Sequence, residues 1–302
     1  MKARSRAELA LAGVTVIWGS TFVLVKSALA DISTYLFLTL RFTIAAVVLF
    51  AIYRRTLQRR GLGPGIFAGC LLFTAFLCQT LGLELTTPSK SAFITGLSIP
   101  MVPLASSLVY RVRPRPFEIA GILVASFGMA LMTLPSGSTS FNISRGDLLS
   151  FLCAIVFALH IVVLSHYSPA VGFQTIAVLQ VASAAALGAG SVLIGGSAPF
   201  LAPIRFHATT EVVTAVLITG LLATALAFTT MAWAQKYTTA TRSALIFSLE
   251  PVVAWITSWV LTGETLPMRA VAGAGMILAG ILLVELRFGN AGNETNGAKA
   301  AS

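Results

Sequence analysis

The chain has 302 residues, of which 57% are hydrophobic and 10% charged, and it carries a formal net charge of +10. A soluble domain carries about 25% charged residues, so this composition excludes an ordinary water-soluble fold and points to lipid as the solvent. The positive charge is not a nucleic-acid signature, because the basic residues fall in short loops between apolar runs.

Apolar runs occur at 9–30, 34–53, 64–83, 91–110, 116–134, 147–165, 172–194, 212–233, 240–261 and 268–286. A helix crosses roughly 30 Å of hydrocarbon with about 20 apolar residues, so these runs predict an all-α membrane protein with ten transmembrane helices. The first run follows Lys2, Arg4 and Arg6 and superficially resembles a signal peptide. Its length and the spans after it favour an uncleaved first helix.

Residues 1–8 read as a cytoplasmic N-terminal tail, 9–134 as a first five-helix unit and 135–146 as an outer linker. Residues 147–286 then form a second five-helix unit, and 287–302 a disordered cytoplasmic C-terminal tail. With both termini cytoplasmic, fourteen of the 20 basic residues lie inside; only Lys90, Arg145, Arg205 and Arg269 lie in outer segments. The positive-inside rule supports that topology and an inner (plasma) membrane location.

Placing Pro100 over Pro251 brings Thr87 onto Thr238, Val102 onto Val253 and Val109 onto Val260. One added residue aligns Gly121 with Gly273 and Gly128 with Gly280. Five spans is an odd number, so the second copy enters the membrane from the opposite side. The expectation is two inverted five-helix repeats that rock about a shared midplane site.

Trp18-Gly19-Ser20-Thr21-Phe22, Arg41-Phe42, Pro100, Glu250-Pro251, Gly263-Glu264 and Gly273-Ala274-Gly275-Met276-Ile277-Leu278-Ala279-Gly280 occur in an informative order. In these the chain resembles the drug/metabolite transporter superfamily, specifically the EamA-type permeases, over nearly its whole length. The first half departs from the pattern at Arg113-Pro114-Arg115, and the sixth span lacks a Trp-Gly pair. The resemblance implies ten helices, a central cavity lined by spans 1, 3, 4, 6, 8 and 9, and export or uptake of small metabolites. A small-molecule substrate and membrane lipid are the expected partners, with a homodimer as the assembly to test.

Ionisable groups inside a membrane cost at least about 2.5–3.5 kcal/mol each on insertion scales, so they call for a reason. Arg41 lies well inside span 2. It reads as an anion-binding or relay group, or as an arginine that snorkels or bonds backbone carbonyls. Lys26 reads as a snorkelling residue or as part of an outer vestibule. Glu250 precedes Pro251, a helix break that frees the carbonyl of Phe247. It is a proton-coupling candidate, or else a kink residue that pairs with Arg242. His160 shares a stripe with Ser150, Cys153 and Phe157; it is a second proton-coupling candidate, or a hydrogen-bonding partner for a neighbouring helix.

Trp18 and Phe22 in span 1, Phe76 and Gln79 in span 3, and Thr224 and Phe228 in span 8 complete the cavity-lining candidates. Each also reads as helix packing. Pro100 and Pro251 are the expected helix breaks. Cys70, Cys78 and Cys153 show no metal-ligand spacing, so no metal site or disulfide framework is expected. The chain has no phosphate-binding glycine-lysine loop and no clustered catalytic acids, so neither a cofactor nor an enzymatic activity is expected. The leading expectation is a secondary transporter of small, amino-acid-like or other organic solutes, with export favoured. A lipid-handling flippase or a polytopic membrane enzyme is the alternative.

Overall fold

The computed structural model describes residues 3–86, 88–111, 113–133, 144–195, 204–262, 268–269, 271–280 and 283. These residues are nearly all helical: α1 Ala3–Ala28, α2 Thr34–Tyr53, α3 Leu62–Leu85, α4 Pro88–Gly96, α5 Ser98–Tyr110, α6 Pro116–Thr133, α7 Arg145–Val171, α8 Phe173–Gly195, α9 Thr210–Gly220, α10 Ala227–Ala234, α11 Ala240–Phe247 and α12 Glu250–Thr262. A last helix, α13, spans Val271–Gly280. The only extended pairing among the described residues is an isolated bridge between Ile32 and Phe206.

Among the described residues, seven helical stretches are long and apolar enough to cross a membrane, and three shorter apolar helices accompany them at Ile94–Tyr110, Pro116–Gly128 and Val271–Gly280. The outer surface is oily: Leu108 is 86% exposed and Leu193 75%. On a soluble protein such side chains would be buried. Such a surface suits an apolar solvent.

Three of the apolar runs are not plain helices. The fourth divides between α4 and α5 at Leu97, just before Pro100. The ninth divides between α11 and α12 at Ser248 and Leu249, just before Pro251. The eighth contains a π-helical segment, Leu221–Leu226, between α9 and α10. Proline removes a backbone donor and disfavours helix at the residue before it, which accounts for the first two interruptions.

Two expected boundaries move. Residues 1–8 read as a tail, yet α1 already begins at Ala3, and Arg4 Nε donates to Glu8 Oε1 at 2.7 Å one turn on. The linker 135–146 ends early, because Ser144 caps α7 with a reciprocal bond pair to Asp147. The rest of that linker and the tail 287–302 lie outside the described residues.

The helices α6 and α13 meet through small residues. A Cβ added at Gly128 would lie 2.6 Å from the Gly273 carbonyl oxygen, and one at Gly280 would lie 2.6 Å from that of Gly121. Position 128 therefore faces 273 while 121 faces 280, so α6 and α13 pack antiparallel with their backbones in contact. The four positions are those that the internal alignment superimposes, and each glycine meets the counterpart of its partner's partner.

Candidate functional site

Trp18 stands at the centre of the core. Its indole ring lies 5.8 Å from Phe157, 5.4 Å from Phe228 and 5.2 Å from Phe247, and so touches α7, α10 and α11 at once. Phe76 of α3 joins the same group, 5.8 Å from Phe228 and 5.6 Å from Phe42. Edge and tilted contacts of this kind add specificity beyond burial alone. The glycine after Trp18 lets α1 come close: a Cβ on Gly19 would sit 2.7 Å from Val253 Cβ and 2.8 Å from the Glu250 carbonyl oxygen.

A cavity opens beside this cluster, with about 590 Å³ of empty space including its mouth. Its walls come from α1 (Trp18, Thr21, Phe22, Val25), α2 (Arg41), α3 (Ala75, Phe76, Gln79, Thr80, Leu83), α4 (Thr95), α7 (Cys153, Phe157) and α12 (Glu250). An apolar wall with a few polar groups is the usual character of small-molecule sites. The cavity is off-centre. Its residues lie in the C-terminal halves of α1 and α3 and the N-terminal halves of α2 and α7.

Arg41 is 4% exposed. Its Nε donates to Thr224 Oγ1 at 2.6 Å and its Nη2 to the Ala223 carbonyl oxygen at 3.2 Å. Its Cζ lies 4.3 Å from the centre of the Phe76 ring. Trp18 Nε1 donates to the same Ala223 oxygen at 2.9 Å. Ala223 and Thr224 belong to the π-helical segment, a form found mostly as single-turn bulges and frequently at functional sites. No carboxylate among the described residues forms an ion pair with Arg41. Two of its donors are spoken for, and the residue is one of those that line the cavity.

Glu250 also lines the cavity, and no hydrogen bond or ion pair to its carboxyl is formed among the described residues. Arg242 does not pair with it. Arg242 Nη1 instead donates to Glu8 Oε1 at 3.0 Å, at the end of α1 remote from the cavity. With Arg242 3% and Glu8 13% exposed, this pair joins α1 to α11 below the cavity floor, where Ala7, Leu11 and Val14 are buried.

The other sequence candidates fall one layer back. Thr224 and Phe228 are fully buried and do not reach the cavity; Thr224 holds Arg41, and Phe228 backs Trp18 and Phe76. His160 is also fully buried, with Nε2 bonded to Gln180 Oε1 of α8 at 2.8 Å and its ring stacked on Phe157. Of its two sequence readings, this geometry is that of a partner to a neighbouring helix. The stripe carrying it is real, but Cys153 and Phe157 take the inner positions.

Lys26 neither snorkels freely nor faces the cavity. Its Nζ donates to the carbonyl oxygens of Leu83, Glu84 and Thr86 at 2.6, 3.1 and 3.1 Å, capping the C-terminus of α3. A cation there complements the helix dipole and satisfies otherwise unpaired carbonyls.

Thr21, Thr80 and Thr95 were not foreseen. Thr80 follows Phe76 by four residues, so helical periodicity could have found it. Thr95 receives a long bond from Gln79 Nε2 at 3.5 Å. The acceptor at Ala223 is a backbone atom, and no side chain announces it.

A model of the EamA-like transporter family matches the chain twice, at residues 5–134 and 144–286. The chain belongs to the EamA-like transporter family. An uncharacterized transporter of Archaeoglobus fulgidus is 34% identical over 286 residues, covering 94% of this chain and 87% of that protein. The uncharacterized transporter YoaV of Bacillus subtilis is 24% identical, covering 93% of this chain and 97% of its own length. A solved crystal structure that is 20% identical superposes with a TM-score of 0.75 over 94% of this chain and 98% of that one, a likeness of fold. Family, relatives and apolar helices together make this EamA-like protein a multi-pass membrane transporter.

Proposed function

We propose that this protein is a secondary transporter that exports small, amino-acid-like organic solutes across the inner (plasma) membrane by alternating access. The observation that carries the reading is Arg41. It is buried, bonded twice to the π-helical segment, and lines a cavity in which no carboxylate pairs with it among the described residues. A fork fixed in this way binds a carboxylate in bidentate fashion. Glu250 on α12 offers the opposite charge to an ammonium group, and Trp18, Phe22, Phe76 and Phe157 receive an apolar side chain.

The architecture behind this reading is two inverted five-helix repeats, with both termini in the cytoplasm. The double family match supports the repeat. The antiparallel, reciprocal glycine contacts of α6 and α13 support the inversion, since equivalent helices related by an axis along the membrane normal would run parallel. In this topology the cavity opens to the outside, and the Glu8–Arg242 pair closes the cytoplasmic end. Export begins from the opposite state, in which that pair parts. Glu250 is the proposed proton-coupling group; His160, sealed behind Phe157, is the second candidate.

Proteoliposomes test the reading. Preloaded with a panel of amino acids, they should release a subset in counterflow, faster with an imposed pH gradient. Arg41→Ala should abolish release, and Glu250→Gln should remove the effect of the gradient. Counterflow of the whole panel at the level of empty liposomes would sink the proposal, as would an Arg41→Ala protein that transports normally.

A further inference from the structure

A second, more open cavity shares no lining residue with the first. Ala46, Val47, Phe50, Ala51 and Arg54 of α2 form one wall and Ala182 of α8 the other, around about 880 Å³ of empty space including the open side. The α2 residues recur at three- and four-residue spacings, so they form one continuous face. Elsewhere the two helices are in contact: a Cβ on Gly188 would meet Thr39 Oγ1 at 3.0 Å, and the Tyr53 and Phe173 rings lie 6.2 Å apart. Between those contacts the three alanines leave a slot. Val47 and Phe50, 63% and 53% exposed, form its rim.

The geometry points to a phospholipid with an anionic headgroup as the occupant of this slot, one acyl chain lying along α2 and the phosphate on Arg54. The length fits. From Ala46 to Arg54 the helix rises about 12 Å, close to the roughly 15 Å that one leaflet contributes to the hydrocarbon core. The charge fits as well. The slot ends at an exposed Arg54 whose side chain makes no hydrogen bond or ion pair among the described residues. The segment Arg54-Arg55-Thr56-Leu57-Gln58-Arg59-Arg60 has four arginines and no acid. Guanidinium groups at that depth bind phosphate oxygens and leave the apolar wall to the chain. A second copy of the protein suits the slot poorly. A twofold axis along the membrane normal would place both arginine clusters on the same side and close together.

The full-length protein in detergent, titrated with phosphatidylglycerol or phosphatidylcholine and read by native mass spectrometry, tests this assignment. Phosphatidylglycerol should be retained at lower concentration than phosphatidylcholine. Arg54→Gln should weaken phosphatidylglycerol binding roughly fivefold. Ala182→Leu, which fills the slot, should reduce its retention too, with Ala51→Leu as the alternative filling variant if Ala182→Leu folds poorly. Equal retention of the two lipids, or an unchanged preference in Arg54→Gln, would overturn the assignment. So would efficient homodimer cross-linking through Val47→Cys in proteoliposomes, since the slot would then face another protein.

Discussion

Trp18 and Arg41, on different helices, donate to one acceptor: the carbonyl oxygen of Ala223, at 2.9 and 3.2 Å. That oxygen belongs to the π-helical segment of the second half of the chain. The cavity-lining guanidinium, the central aromatic residue and the irregular helix therefore form one hydrogen-bonded unit.

Arg41→Lys is expected to fail despite keeping the charge. An ammonium group cannot reach Thr224 and Ala223 and still present a flat fork to the cavity. A charge-assisted hydrogen bond contributes about 1.5–3 kcal/mol, so affinity for a carboxylate substrate should fall roughly 10- to 100-fold. Binding measured by isothermal calorimetry, beside a melting curve that shows the protein still folded, checks this.

Trp18→Phe keeps most of the ring contacts and removes one donor. Arg41 remains on the Ala223 oxygen, so the acceptor is not orphaned, and a loss of about 1 kcal/mol is expected. Trp18→Ala should cost about 3–5 kcal/mol, as the loss of a large core side chain does. A melting comparison that ranked the two equally would remove Trp18 from the centre of the core.

Gly19→Ala introduces a Cβ whose nearest neighbours are the Val253 Cβ and the Glu250 carbonyl oxygen. Neither is the end of a flexible side chain, so α1 and α12 must separate, at about 1–3 kcal/mol. The substitution moves Glu250 relative to Trp18, and the expected outcome is lower thermal stability together with weaker substrate binding. Gly13→Ala, at a position with open space around it, serves as the control and should be neutral.

Glu8→Gln removes one charge of a largely buried pair and leaves Arg242 without it. Losing one partner of such a pair costs about 3–5 kcal/mol, and here the cost falls on the closed end. Alternating access predicts a shift toward the opposite state. A cysteine placed at Val14, which is 2% exposed, should label faster from the cytoplasmic side in the Glu8→Gln background. Unchanged labelling would show that the pair does not latch this end.

His160→Gln separates the two proton-coupling candidates. Among the described residues His160 has Gln180 as its one hydrogen-bond partner, and its Nδ1 is buried without one. If Glu250 carries the coupling, the gradient dependence of transport survives in His160→Gln and disappears in Glu250→Gln. The reverse result would reassign the role.

Much of this protein was legible in the sequence because lipid imposes a simple demand. A backbone inside hydrocarbon must satisfy its own hydrogen bonds, so apolar run length gives the helices. Pro100 and Pro251 mark interruptions because proline lacks a donor, and the glycines of α6 and α13 mark a contact because only small residues let helix backbones touch. The tertiary structure alone decided which polar groups face the cavity. Arg41 and Glu250 do; His160, Thr224 and Lys26 look equivalent in sequence, yet Gln180, Arg41 and the end of α3 claim them. The π-helical segment bonds Arg41 through the Thr224 hydroxyl, a side chain visible in the sequence, and through the Ala223 carbonyl, which no side chain marks; only the packing of α1 and α2 against the segment gives that oxygen its two donors.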